Sequence, residues 1–345
     1  MRRRLVPAAL LVALAVALAL HLSPSRAGSA ADAPATQAVR GVAMTVADID
    51  RSVDFYSTVL FFEKVSDAQL SGPAVERLLG VPGARVRLVT MRLGSERIEL
   101  VQYLDRKSQP LPADARSNDR WFQHVAIIVN DMDQAYLWLR RHNVAQTSPE
   151  PQRLPDWNPN AGGIRAFYFK DPDGHALEIL QFPADKGAAR WQRPSDRVFL
   201  GIDHTAIVVG DTETSLRFYR DRLGLRVVGR SENHGPEQER LNNVSGARLR
   251  ITTLRAEEGP GIELLEYLAP RDGRPYPADA APTDLVRLRT LLQTADADTA
   301  AAKIAGPAGA RSRPTIVAVS HPLLGFRRGL LTQDPDGHGV ELRAQ

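Results

Sequence analysis

The 345-residue chain contains no cysteine, which excludes disulfides, thiolate zinc sites, cysteine nucleophiles and bacterial lipid anchoring together. It also lacks a real excess of either charge. Lysine and arginine number 44 against 40 acidic residues, and four of those arginines (Arg2, Arg3, Arg4 and Arg26) lie within residues 1–30, which hold no acid. The remainder is balanced, so a nucleic-acid partner or an anionic membrane surface has no electrostatic support. No Gly-x-Ser-x-Gly elbow marks a serine hydrolase and no glycine-rich loop is set to cradle phosphate. What is present is a globular composition, 43% apolar and 24% charged with 25 Gly and 24 Pro. That excludes collagen-like, coiled-coil and largely disordered chains, and the length suggests two domains.

Three arginines precede an apolar run from Leu5 to Leu22, followed by small residues at Ser25, Ala27, Ser29 and Ala30. This is the layout of a secretory signal peptide, residues 1–30, with cleavage after Ala27, Ala30 or Ala31. The alternative is a retained anchor helix, since the run is nearly long enough to span a bilayer. Cleavage is the expectation adopted, with residues 31–38 as a tether and a periplasmic or secreted mature chain without a stable membrane anchor.

Self-comparison sets the architecture. Phe55-Tyr56 recurs as Phe218-Tyr219, Glu76-Arg77-Leu78 as Glu239-Arg240-Leu241, and Gly83-Ala84-Arg85 as Gly246-Ala247-Arg248. Asp171-Pro172-Asp173-Gly174-His175 recurs as Asp334-Pro335-Asp336-Gly337-His338, again 163 residues on. One offset at four landmarks means a tandem duplication. Each half divides again, because the segment opening at His124 resembles the one opening at His204. Four modules result, 39–105 and 120–183 in a first half (39–183), 199–269 and 283–343 in a second (199–345). Within each, a β-branched strand leads through an Asp N-cap into a helical stripe such as Ile49, Val53, Tyr56 and Leu60, and alternating strands follow. The expected fold class is α+β, four βαβββ modules pairing into two half-open β-sheet cups.

A strand opening His-x-Ala-Ile-x-Val-x-Asp, a helix carrying Phe-Tyr and a closing Asp-Pro-Asp-Gly-His turn together resemble the vicinal oxygen chelate superfamily. That group includes glyoxalase I, extradiol dioxygenases, fosfomycin-resistance enzymes and bleomycin-binding proteins. The likeness covers the whole mature chain and specifies fold far more than reaction. It implies metal ligands at a His on the first strand of a module and a Glu on the last, which here are His124, His204, Glu178 and Glu263. The residues themselves support this, since an acid among apolar alternates on a buried strand is costly unless paired or bound to a cation. In modules one and four, Gly41 and Arg289 (or Arg287) stand where the His would be, although Glu99 and Glu341 remain.

Two pairings are open. Neighbouring modules could share a cup, giving sets of Glu99, His124 and Glu178, and of His204, Glu263 and Glu341. Crosswise pairing instead unites His124, Glu178, His204 and Glu263 and leaves Gly41, Glu99, Arg289 and Glu341 together. The crosswise form is favoured because both losses then fall in one cup. Nitrogen and oxygen donors suit Fe(II), Mn(II), Ni(II), Co(II) or Zn(II). The function implied is a metal-dependent enzyme, glyoxalase- or dioxygenase-like, acting on a small molecule with vicinal oxygens, with Glu178 or Glu263 moving a proton. The thiol cosubstrate of glyoxalase-type isomerisation is cytosolic, which sits poorly with export. The alternative is a metal-free binder of the bleomycin-resistance type. His175 and His338 are expected to be turn residues and the chain a monomer; His234 is a candidate for lining the central cup, and Arg165, Tyr168 and Trp157 are candidates for a pocket rim that the sequence does not place.

Overall fold

The computed structural model describes residues 34–306, 314–319, 321 and 324–345. The signal-like leader lies outside the described residues. Within them no helix is long and apolar enough to cross a membrane.

The strands form two open sheets that join the modules crosswise. Modules one and four share an eight-stranded sheet, which we call outer, and modules two and three a nine-stranded sheet, called central. At the middle of each sheet the opening strands of two modules lie antiparallel, Ala38–Thr45 beside Leu288–Gln293 in the outer sheet and Gln123–Val129 beside Phe199–Val208 in the central one. Each opening strand then pairs in parallel with the closing strand of its own module, for example Gln123–Val129 with Ala176–Gln181. These strands are apolar on both faces because both are covered.

Two apolar layers explain that cover. Between the sheets, alternate residues such as Val42, Met44, Ile98 and Leu100 of module one pack on Val125, Ile127, Phe167 and Ile179 of module two. Ile207, Leu264, Leu292 and Val340 do the same for modules three and four. The intervening residues, Ala43, Leu88 and Val101 on the outer sheet and Ala206, Leu249 and Leu265 on the central one, line the two cups on the opposite faces.

The helices begin where the sequence places them. Asp48, Asp131, Asp211 and Asp296 each accept hydrogen bonds from backbone N–H groups of the first turn. In modules one and three the helix widens into a π-turn at Phe55–Val59 and Arg217–Arg222. This turn carries the repeated Phe-Tyr, and it brings the Tyr56 hydroxyl to Asp171 Oδ2 and the Tyr219 hydroxyl to Asp334 Oδ2, each at 3.1 Å. The same carboxylates hold His175 Nδ1 at 2.9 Å and His338 Nδ1 at 3.0 Å. Tyr-Asp-His links of this kind tie module one to two and three to four. His175 and His338 are therefore turn residues as the sequence suggests, with the added task of fastening one sheet to the other.

Candidate metal centre

The central cup contains a cavity of about 330 Å³ lined by His124, Glu178, His204 and Glu263. Strand register explains how four residues spread over 140 positions of sequence converge. Across the antiparallel seam His204 lies opposite Ala126 and His124 opposite Ala206. The small alternate residue beside each histidine makes room for the other module's imidazole, not for its own. Ala126 in turn neighbours Glu178, and Ala206 neighbours Glu263, on the parallel closing strands. Each row across the sheet thus offers one His and one Glu with an alanine between them.

The side chains meet above those alanines. His124 Nε2 lies 3.1 Å from Glu178 Oε2, and His204 Nε2 lies 3.6 Å from the same oxygen and 3.5 Å from Glu263 Oε2. One ligand atom each from His124, Glu178 and His204 falls within 4.8 Å of the others, and all three residues are buried. Glu263 stands just outside that trio. Its Oε1 accepts a hydrogen bond of 2.8 Å from Thr253, and its side chain is 19% exposed against 5% for Glu178. Tyr168 closes the floor, its ring 4.9 Å from that of His124.

The donors suit a divalent cation. Among the described residues His124 Nδ1 is buried without a hydrogen-bond partner, and Nε2 sits beside Glu178 without hydrogen-bond geometry; leaving such a buried group unsatisfied costs about 1–3 kcal/mol. Burial opposes a charged His204, yet the carboxylates of Glu263, Asp203 and Glu178 outweigh it and lift the imidazole to about 9. This is a place where positive charge is strongly favoured. Two imidazoles and one or two carboxylates form a borderline-hard set with positions left for substrate.

The outer cup answers the same residue pattern differently. Arg289 lies opposite Ala43, the seat corresponding to that of His124 opposite Ala206, so Arg289 and not Arg287 replaces the histidine. Its Nε donates to Glu341 at 3.1 Å, while Arg343 grips Glu341 at 2.7 Å and Glu99 through both terminal nitrogens. At the seat matching His204, Gly41 has φ 123° and a Cβ there would fall 2.0 Å from the Arg97 carbonyl oxygen. The two acids are neutralised by arginine and the space for a second imidazole is closed. Arg343 follows Glu341 by two residues on the same strand face, a placement that period-two reasoning could have flagged.

Other expectations resolve one by one. Tyr168 lines the cavity. Arg165 turns away to Asp133, and Trp157 stacks on His234 at 4.4 Å. His234 does not reach the central cavity; it ends the edge strand Arg226–His234, where alternation turns it outward. Asp203, Trp191 and Arg255 were not legible, because strand alternation from His204 sends Asp203 to the opposite face.

Paired βαβββ modules around a His/Glu-lined cup define an open-sheet scaffold with a cavity in its central sheet. The chain belongs to the Glyoxalase/Bleomycin resistance protein/Dioxygenase superfamily, whose family model matches residues 39–179 and 201–342. It is 35% identical over 174 residues, 48% of its own length and 90% of the relative's, to a 2-epi-5-epi-valiolone epimerase of Actinomyces sp.. It is 24% identical over 243 residues, covering 70% of this chain and 72% of the relative, to a lactoylglutathione lyase of Arabidopsis thaliana. In fold it is similar to glyoxalase I from Zea mays, with a TM-score of 0.58 and 17% identity over 89% of this chain and 92% of that one.

Proposed function

We propose that the protein is a divalent-metal-dependent enzyme that moves a proton on a small molecule bearing two neighbouring oxygens, in the manner of an isomerase or epimerase. The observation that carries this reading is the buried convergence of His124, Glu178 and His204 with Glu263 beside them. Relatives that are an epimerase and a lyase favour proton transfer over oxygen insertion. His124, His204 and Glu178 would hold the ion, which would supply Lewis-acid polarisation of the substrate oxygens and so acidify the adjoining C–H.

The chain's own residues do the rest. Glu263 is the base: Thr253 pins Oε1 and leaves Oε2 on the cavity side, open enough to take a proton from carbon and return it to a neighbouring atom. Glu178, shut in between both imidazoles, holds them in register. Apolar walls such as Leu180, Leu249 and Leu265 exclude water from the exchanging proton. The signal-like pattern of residues 1–30 supports a site of action in the periplasm or outside the cell.

The test uses the purified chain stripped by a chelator and reloaded in turn with Mn(II), Fe(II), Co(II), Ni(II) or Zn(II). Uptake of about one ion and metal-dependent exchange of substrate carbon-bound hydrogen with heavy water are expected, with Glu263→Gln losing exchange but keeping metal. A chain that retains no ion and recovers none on reloading is instead a metal-free binder.

A further inference from the structure

The opening strand of module three is irregular between Ile202 and His204, where its register against Gln123–Val129 shifts. Such a bulge breaks the alternation of side chains and turns two successive residues toward one face. Here the pair is Asp203 and His204, both lining the central cavity. Asp203 Oδ2 lies 3.1 Å from His204 Nδ1. Asp203 is itself fixed by three donor contacts: Trp191 Nε1 at 2.9 Å to Oδ1, and Arg255 Nη2 at 3.0 and 3.2 Å to the two oxygens. The bulge is held from the other sheet, since the Ile202 N–H donates to Glu96 Oε2 at 3.1 Å and Glu96 also pairs with Arg190.

We propose that Asp203 is the positioning residue of the centre: it takes the Nδ1 proton of His204 in a hydrogen bond, so that Nε2 is the nitrogen turned to the cavity and the one that gives up its proton to an arriving cation. An outer carboxylate on a ligating imidazole fixes ring orientation and raises ligand basicity. Among the described residues His124 Nδ1 has no such partner, so the two histidines are unequal. His204 is set before any ion arrives, and His124 settles around it. Trp191 belongs to the segment joining the two halves, so the link between them is also part of the support of the centre.

This inference rests on the proposed metal reading only for its affinity arm. Competition for Zn(II) against a chromogenic chelator should show Asp203→Asn weaker than the native chain, and Asp203→Ala weaker by about 10- to 100-fold. The second arm needs no metal. In the metal-free native chain, nitrogen-15 spectra should show a hydrogen-bonded proton on His204 Nδ1 that is protected from exchange, and Asp203→Ala should lose that protection while the His124 signals stay put. Loss of protection with unchanged Zn(II) affinity would overturn the positioning role. A native chain with the protected proton but no Zn(II) binding would leave the orientation standing and sink the metal reading. Absence of the protected proton in the native chain overturns the inference whatever the metal does.

Discussion

At the scale of single residues, the two cups use the same positions for opposite electrostatic solutions. In the central cup, Glu178 meets only the two imidazoles, with no arginine or lysine among the described residues paired to it. In the outer cup, burial would push the Glu341 carboxyl up, but Arg343 and Arg289 outweigh it and hold it below its usual range. Arg343 is therefore structural, and Arg343→Leu strands two acids together. Removing one partner of such a pair costs about 3 kcal/mol, and chemical denaturation should show a loss of that order while metal uptake is unchanged. In the central cup the reverse holds, with Glu178→Gln costing little stability and most of the metal affinity, as read by dialysis equilibrium. The residue types of both cups were legible in the sequence, because charged groups on apolar strands stand out. Which arginine replaces which histidine was not, since only strand register separates Arg289 from Arg287.

Strands and turns carry a second kind of information. Gly41 and Gly261 are matched exceptions: Gly41 cannot carry a side chain because of the Arg97 carbonyl, while a Cβ at Gly261 would come within 3.3 Å of the His204 Cβ. The central sheet gives up a side chain at Gly261 beside His204, whereas the outer sheet gives one up at Gly41 to a neighbouring backbone carbonyl. Gly41→Ala should destabilise the chain by more than about 2 kcal/mol, because positive φ and a backbone clash coincide, and the thermal midpoint would report it. The turn at residues 171–175 predicts a pH effect. Burial disfavours a charged His175, but Asp171 outweighs it and raises the ring to about 9. Its two nitrogens face the Asp171 carboxylate and the Leu285 carbonyl, which only the imidazolium satisfies fully. A raised folded value stabilises fully below the ordinary value near 6.5 and is lost as pH climbs through 9. The native chain should thus exceed His175→Gln by about 2 kcal/mol at pH 6, with the gap shrinking by pH 10; urea titrations at both pH values measure it, and a gap that widens refutes the charged pair. Period-two and helical patterns exposed these elements in the sequence, whereas the bulge at Asp203 stayed hidden because it breaks the period on which that reading depends.

The whole molecule is organised by the crosswise seam. Both halves contribute to each sheet, and the apolar layers between sheets bind modules within a half, so neither half is self-sufficient. Residues 34–196 expressed alone keep His124 and Glu178 but lose His204 and both antiparallel seam partners. Their exposed central strands should drive self-association, visible in sedimentation velocity as a dimer or larger species, and a well-folded monomer of this fragment would contradict the seam's importance. The repeat itself was plain from one offset at four landmarks. Pairing was legible only through the losses at Gly41 and Arg289, which fall together in the crosswise arrangement that the sheets adopt; the strands themselves do not decide it, because adjacent and crosswise arrangements bury identical strands and differ only in which seams they join.

That seam has an ancestral implication. Before the two halves were joined, a chain of one half could complete its sheets only by exchanging modules with a second copy, and symmetry would then have made both hollows alike. Fusion freed each copy of the repeat to change separately. One hollow could keep its two imidazoles while the other came to hold an arginine and a glycine in their seats, its acids paired with guanidinium groups.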